Sequence, residues 1–215
     1  MSLLARKPSV LGRSQRAQRD DRMFVVATED RYAPAQYFKA IQESRVVITV
    51  LPSEDDRSAP QNVVDRLKAA HQAGVEAGDI LPGDQFWVLL DTDHWVRGQH
   101  VAGLLEALRQ ARQLGFQIAM TNPCFELWLP LHHQEVAPRT VFGACAEAEA
   151  RLRAVLGGYN KCKLKTAQFP KESIANAVRR ARALESNPDS PAGPWPETAG
   201  SRIYQLIEAV QNRNA

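Results

Sequence analysis

Glu29, Asp91 and Asp93 are the residues whose types and spacing best suit shared chemistry in this chain. Each group follows a short apolar run. Met23, Phe24, Val25, Val26 and Ala27 precede the first, and Phe86, Trp87, Val88, Leu89 and Leu90 precede the second. Residues two apart on an extended segment project to the same side, so Asp91 and Asp93 can converge while Thr92 points away. Three carboxylates brought together repel one another and raise one another's pKa, and a divalent cation relieves that repulsion. Hard oxygen donors with positions left for water suit Mg2+ or Mn2+ better than zinc. The competing reading is plain: a lone Asp-x-Asp is common, and acids after strands also open turns or cap helices.

The elements that must position these acids follow from the apolar pattern. Met23–Thr28, Val46–Leu51, Phe86–Asp91 and Phe116–Met120 are continuously apolar or β-branched, the signature of parallel strands covered on both faces. Between them, Pro34–Ile41, residues 62–77 and residues 101–115 carry helical spacing, the last stopped by Gly115. The order βαβαβαβ predicts an α/β fold with a mostly parallel sheet flanked by helices. Ligands of such sheets bind beyond the carboxyl ends of the strands, where Glu29 and Asp91 stand. From there on the pattern turns helical, over Phe125–His132, Val141–Leu156, Lys171–Glu185 and Ser201–Val210, with a proline-rich loop over 187–196 before the last helix. The reading is a basic arm over 1–22 and one domain over 23–215, with a core of about 23–135 and a helical C-terminal part of about 136–215.

Other residues carry two readings each. Asn122 and Pro123 suit an N-cap and first helical position, which puts Glu126 in a first turn, serving either the helix dipole or the metal site. His132, beside His133, either orients a phosphate or water or lies on the surface. Lys161, Lys163 and Lys165 would share one face of an extended segment, either as a basic stripe for a phosphate backbone or as a solvated edge. The net charge of +3 does not mark a nucleic-acid binder, but the arm holds Arg6, Lys7, Arg13, Arg16, Arg19 and Arg22 against Asp20 and Asp21. Cys124, Cys145 and Cys162 form no Cys-x-x-Cys pair and read as reduced thiols. With no apolar signal run and no span-length apolar stretch, the expected compartment is the cytoplasm, without membrane contact. No phosphate-binding Gly-rich loop appears, so ATPase activity would have to come from a partner.

Several segments together resemble a known family. Val25 and Val26 lead to Glu29, followed by Tyr37 and Phe38; the third strand ends in Asp91, Thr92 and Asp93. The most specific segment is Thr121, Asn122, Pro123, Cys124, Phe125, Glu126, Leu127 and Trp128, followed by Leu131 and His132. Weaker matches cover Tyr159, Lys161 and Lys163, then residues 198–206. The acids resemble those of Toprim domains, and the chain more closely resembles the RloB-like family, including the second protein of AbiL-type abortive-infection systems. The resemblance implies a Toprim-like fold and a Mg2+- or Mn2+-dependent nuclease acting on DNA or RNA, tRNA included. It implies Glu29, Asp91 and Asp93 as metal ligands, and lends weight to Glu126 and Lys161 as further catalytic residues. The implied setting is bacterial anti-phage defence, with an AAA- or ABC-type ATPase as partner. The first loop departs from the family pattern: Asp30 replaces a Gly, and Tyr32 and Ala33 stand where Thr and Glu are usual. That departure sustains the alternative of a catalytically inactive binding or regulatory subunit of an ATPase complex.

Overall fold

A computed structural model describes residues 21–54, 58–185 and 193–212. The apolar runs form strands β1 (Arg22–Thr28), β2 (Val46–Leu51), β3 (Gln85–Asp91) and β4 (Gln117–Asn122), joined by helices α1 (Ala33–Ala40), α2 (Pro60–Ala77) and α3 (His100–Gln113). The remaining elements are α4 (Cys145–Leu156), α5 (Lys171–Glu185), the short strand β5 (Gly200–Ser201) and α6 (Ile203–Gln211). One sheet holds all the strands in the order β2-β1-β3-β4-β5, parallel except for the antiparallel β4–β5 pair. The α/β architecture read from the sequence is the one observed. Residues 1–20 of the basic arm lie outside the described residues, and Arg22 opens β1.

Continuous apolarity in the strands has a simple cause: both faces of the sheet are covered. Phe24, Val26, Trp87 and Leu89 face one core, packed by Tyr37 and Phe38 of α1 and by side chains of α5 and α6. Val25, Ala27, Phe86, Val88 and Leu90 face the other, against Val63, Val64 and Leu67 of α2 and Leu104 and Leu108 of α3. Each Leu or Phe buried in this way contributes roughly 1.5–3 kcal/mol. The predicted stop of α3 also holds. Gly115 takes φ of 76°, and the amides of Gly115 and Phe116 donate to the carbonyls of Arg112 and Ala111. The chain leaving β1 turns to the first face with α1, while the chain leaving β3 turns to the second with α3. Diverging exits from adjacent strands leave a crevice at their carboxyl ends.

Four local expectations are corrected. Residues 125–132 are not one α-helix but two 3₁₀ turns, Phe125–Leu127 and Leu129–His132. The Asn122–Pro123 bond is cis, and Asn122 caps no helix; its side-chain amide donates to the Pro196 carbonyl at 2.7 Å. Residues 200–201 pair with β4 before α6 begins. The fourth concerns His132, which is not a surface residue but a buried link between α1 and α5. The Ser173 hydroxyl donates to the Pro170 carbonyl at 2.7 Å, so at its 2.7 Å contact with His132 it accepts from Nδ1–H. Nε2 then accepts from the Tyr37 hydroxyl at 3.0 Å.

Burial pushes the His132 imidazole from its ordinary 6.5 down to about 3, with His133 and Arg180 adding to the effect. A depressed imidazole contributes stability that is complete above pH 6.5 and is lost as the pH falls toward about 3. Tyr37→Phe removes the donor to Nε2 and strands a buried acceptor, which costs about 1–3 kcal/mol. Urea unfolding at pH 7.5 should show a lower midpoint at unchanged slope. An unchanged midpoint would mean that the Tyr37–His132 bond carries no net stability.

Candidate metal centre

Glu29 follows β1 directly, and its carboxylate crosses to the neighbouring strand. Oε1 accepts from the backbone N–H of Asp91, and Oε2 accepts from the Trp95 indole at 2.7 Å. Asp91 closes β3, and Asp93 lies in the loop beyond it. That loop is anchored from below. The Pro123 carbonyl accepts from Thr92 N at 2.9 Å and Asp93 N at 3.1 Å, and Thr92 N also reaches the Thr121 carbonyl at 3.0 Å. Thr92 is consequently buried, while Asp91 and Asp93 keep some solvent access. His94 stands at the mouth, 78% exposed, with Nε2 3.4 Å from the Asp93 carboxylate.

Glu126 lies fully buried in the first 3₁₀ turn. Its Oε1 accepts from the Tyr159 hydroxyl at 2.9 Å and lies 3.4 Å from the Lys161 ammonium. Lys161 also meets Asp30 Oδ2 at 2.8 Å. Asp30 itself is an Asx turn: Oδ1 accepts from Tyr32 N at 2.6 Å and Ala33 N at 3.2 Å, fixing the entry to α1. The residue in the Gly position of the family pattern is thus a structural acid, tied by Lys161 to Glu126. The lysine stripe does not form. Residues 160–163 make a turn in which the Asn160 side chain accepts from the amides of Cys162 and Lys163, so Lys161 points inward while Lys163 and Lys165 stay exposed.

The electrostatics follow from crowding acids in a poorly hydrated crevice. Burial raises Glu29 from 4.5 to about 8, opposed by its bonds to Trp95 and Asp91 and reinforced by Asp93 and Asp30. Asp91 is pushed well above 3.8, by burial first and then by Glu29, Glu126, Asp30 and Asp93. Burial also raises Glu126, against the pull of Lys161. For Lys161, burial favours the neutral amine, but Glu126 and Asp30 outweigh it and the ammonium is held above its ordinary value. Arg66 of α2 adds a second cation at the lip, donating to the Thr28 carbonyl at 2.7 Å.

The structure therefore brings all five sequence-predicted residues, Glu29, Asp91, Asp93, Glu126 and Lys161, into one charged neighbourhood. It adds Asp30, Trp95 and Arg66, whose parts depend on partners far away in sequence. It also corrects the reading of the thiols: Cys124 and Cys145 are joined in a disulfide, and Cys162 is free and exposed. Glu126 lies beside that bond, and Cys124, Glu126 and Cys145 form a group that could bind a metal if reduced.

Fold and site together define an α/β protein with an acidic crevice where two adjacent parallel strands send their chains to opposite faces. The chain belongs to the RloB-like family, whose model, described as RloB-like protein, matches residues 24–210. Neither the curated proteins nor the solved structures include a match. Among the described residues, no helix is long and apolar enough to cross a membrane.

A raised carboxyl stabilises the fold below its ordinary pKa, and that contribution is lost as the pH climbs through the raised value. Glu29 should therefore weaken the metal-free protein between pH 4.5 and about 8. Glu29→Gln cannot titrate there. In chelator-treated samples its stability relative to the unaltered protein should rise from pH 5 to pH 8.5 by roughly 1–3 kcal/mol. Parallel pH–stability curves would show that Glu29 ionises without hindrance.

Proposed function

We propose that this protein is a metal-dependent nuclease of Toprim-like type. In this reading it hydrolyses phosphodiester bonds of DNA or RNA, tRNA among the candidates, in the cytoplasm. It acts as an effector of bacterial anti-phage defence together with an AAA- or ABC-type ATPase. The observation that carries the chemical part is the reach of the Glu29 carboxylate to the Asp91 backbone amide across the β1–β3 crevice. It sets two raised acids side by side, with Asp93 on the loop that follows. The family membership supports the biological part.

By chemistry the three acids suit a hard divalent ion. Among the described residues, however, only Cys124, Glu126 and Cys145 stand at metal-ligand spacing, and Glu29 would have to give up an N–H partner to ligate. Glu29, Asp91 and Asp93 supply carboxylate oxygens, while Lys161 is committed to Asp30 and Glu126. Glu29 and Asp91 are raised first by burial and then by the neighbouring acids, and a bound Mg2+ or Mn2+ would offset both effects. When bound, such an ion supplies the charge that polarises a phosphate and activates water. The Trp95 indole and the Asp91 amide hold both Glu29 oxygens in place. The Pro123 carbonyl fixes the loop that carries Asp93. Arg66 places positive charge beside the end of β1, where a phosphate backbone could approach. Glu126, buried and held by Tyr159 and Lys161, would serve as a further catalytic residue at the edge of the acidic group.

A second reading rests on a specific observation. Asp30 and Glu126 already share the Lys161 ammonium, which offsets part of the local negative charge without a metal. A module of that kind would serve as a noncatalytic binding or regulatory subunit of the ATPase complex.

Labelled DNA, total tRNA and single-stranded RNA, incubated with the protein alone and with its candidate ATPase, separate the two readings. The nuclease reading expects cleavage in Mg2+ or Mn2+ that EDTA abolishes and that Asp91→Ala/Asp93→Ala lowers by about two orders of magnitude or more. Stable ATPase binding without cleavage of any substrate would instead establish the noncatalytic subunit.

A further inference from the structure

Behind the acidic crevice lies a second cluster of different chemistry. Cys124 follows the cis Asn122–Pro123 bond, and Cys145 is the first residue of α4, with Cα atoms 5.5 Å apart. One ligand atom from each of Cys124, Glu126 and Cys145 lies within 4.8 Å of the others. Cys124 and Glu126 are buried, while Cys145 is partly open to solvent and gives a route of entry. Glu126 divides its oxygens between the two neighbourhoods. Tyr159 and Lys161 use Oε1, and Oε2 faces the Cys145 sulfur at 3.3 Å.

Two sulfurs and one carboxylate oxygen at this spacing are a donor set for a borderline-soft cation of the zinc class, with a fourth position left for water. The same sulfurs bonded to each other cannot ligate as thiolates. We propose that Cys124, Glu126 and Cys145 form a thiophilic metal site that exists only in the reduced protein. The disulfide and the metal are then alternative occupants of one place. This holds whether or not the hard-metal nuclease reading is right, since it uses other donors.

The balance of each step is simple. A low-molecular-weight dithiol reduces the Cys124–Cys145 bond, transferring two electrons and two protons and leaving as its own cyclic disulfide. The divalent ion then displaces both thiol protons and takes one Glu126 oxygen. In the complex, two thiolates and one carboxylate carry three negative charges against the ion's two, and the Lys161 ammonium, shared with Asp30, offsets part of the remainder. Hydrogen peroxide reverses the change: the two thiolate sulfurs bond again, peroxide takes their two electrons and two protons from solvent and leaves as two waters, and the metal is released.

Co2+ is the probe, because thiolate ligation gives it charge-transfer absorption in the near ultraviolet. Full-length protein, reduced with a phosphine under anaerobic conditions, should take up about one Co2+ per chain with that absorption, and Zn2+ should displace it. Cys145→Ser should lose the band, and Glu126→Gln should weaken binding by about tenfold or more. Cys162→Ser and Asp91→Ala/Asp93→Ala should keep it, so failure here and failure of the nuclease reading remain distinguishable. Peroxide-treated protein should show the 124–145 bond by peptide mapping and no band. Circular dichroism confirms that each variant is folded. The proposal is overturned if folded, reduced protein gives no band, if the band follows Cys162, or if oxidised protein binds Co2+ with the same spectrum.

Discussion

Glu29, Asp30, Asp91, Asp93 and Glu126 are crowded at one end of the sheet, and the surroundings of that end can be understood as answers to their mutual repulsion. Charges of one sign in a poorly hydrated crevice are costly unless each finds a donor, a cation or a proton. Glu29 takes an indole and a backbone amide from the neighbouring strand. Asp30 takes two amides at the entry of α1, and Lys161 joins it to Glu126. Asp91 has the least compensation for its burial and feels the other four acids, which is why its carboxyl is pushed so far up.

Those answers require parts of the chain that are far apart in sequence to meet. The Pro123 carbonyl, just past β4, holds the loop after β3. Lys161 and Tyr159, from the segment between α4 and α5, reach back to acids at residues 30 and 126. Gln36 of α1 secures that segment, donating to the Lys161 carbonyl at 3.0 Å and accepting from Leu164 N at 2.9 Å. The C-terminal helices are therefore not an appendage to a finished site. By packing on the face that α1 occupies, they bring the cation and the phenol without which Glu126 would be a buried, unpaired carboxylate.

This division explains what could be read from the sequence. Strand positions were legible because burial on both faces writes an unbroken apolar run, as at Phe24–Ala27 and Phe86–Leu90. The acids were legible because they end those runs. Features set by distant partners were not. The alternation of Lys161, Lys163 and Lys165 looked like one face of a strand, but Asn160 folds the segment into a turn and a buried carboxylate pair draws one lysine inward. His132 looked superficial beside a second histidine, because nothing local reveals Tyr37 and Ser173 on either side of it. Spacing alone likewise gave no sign that Cys124 and Cys145, separated by 21 positions, would meet. The strand at residues 200–201 is too short to carry any period, and it is defined only by pairing with β4.

Glu126 is where these constraints converge. Its backbone belongs to the turn that follows the Pro123 anchor, and its two oxygens face different chemistry. A change at the sulfur pair must alter the charge felt by Oε2. Asp91, already raised in part by Glu126, must respond, because carboxylates in one low-dielectric pocket share their ionisation. Lys161 holds Oε1 and Asp30 together on the side away from the sulfurs. The buried glutamate of the 3₁₀ turn is thus both a wall of the acidic crevice and a neighbour of the cysteines, and no replacement of it can affect one without the other.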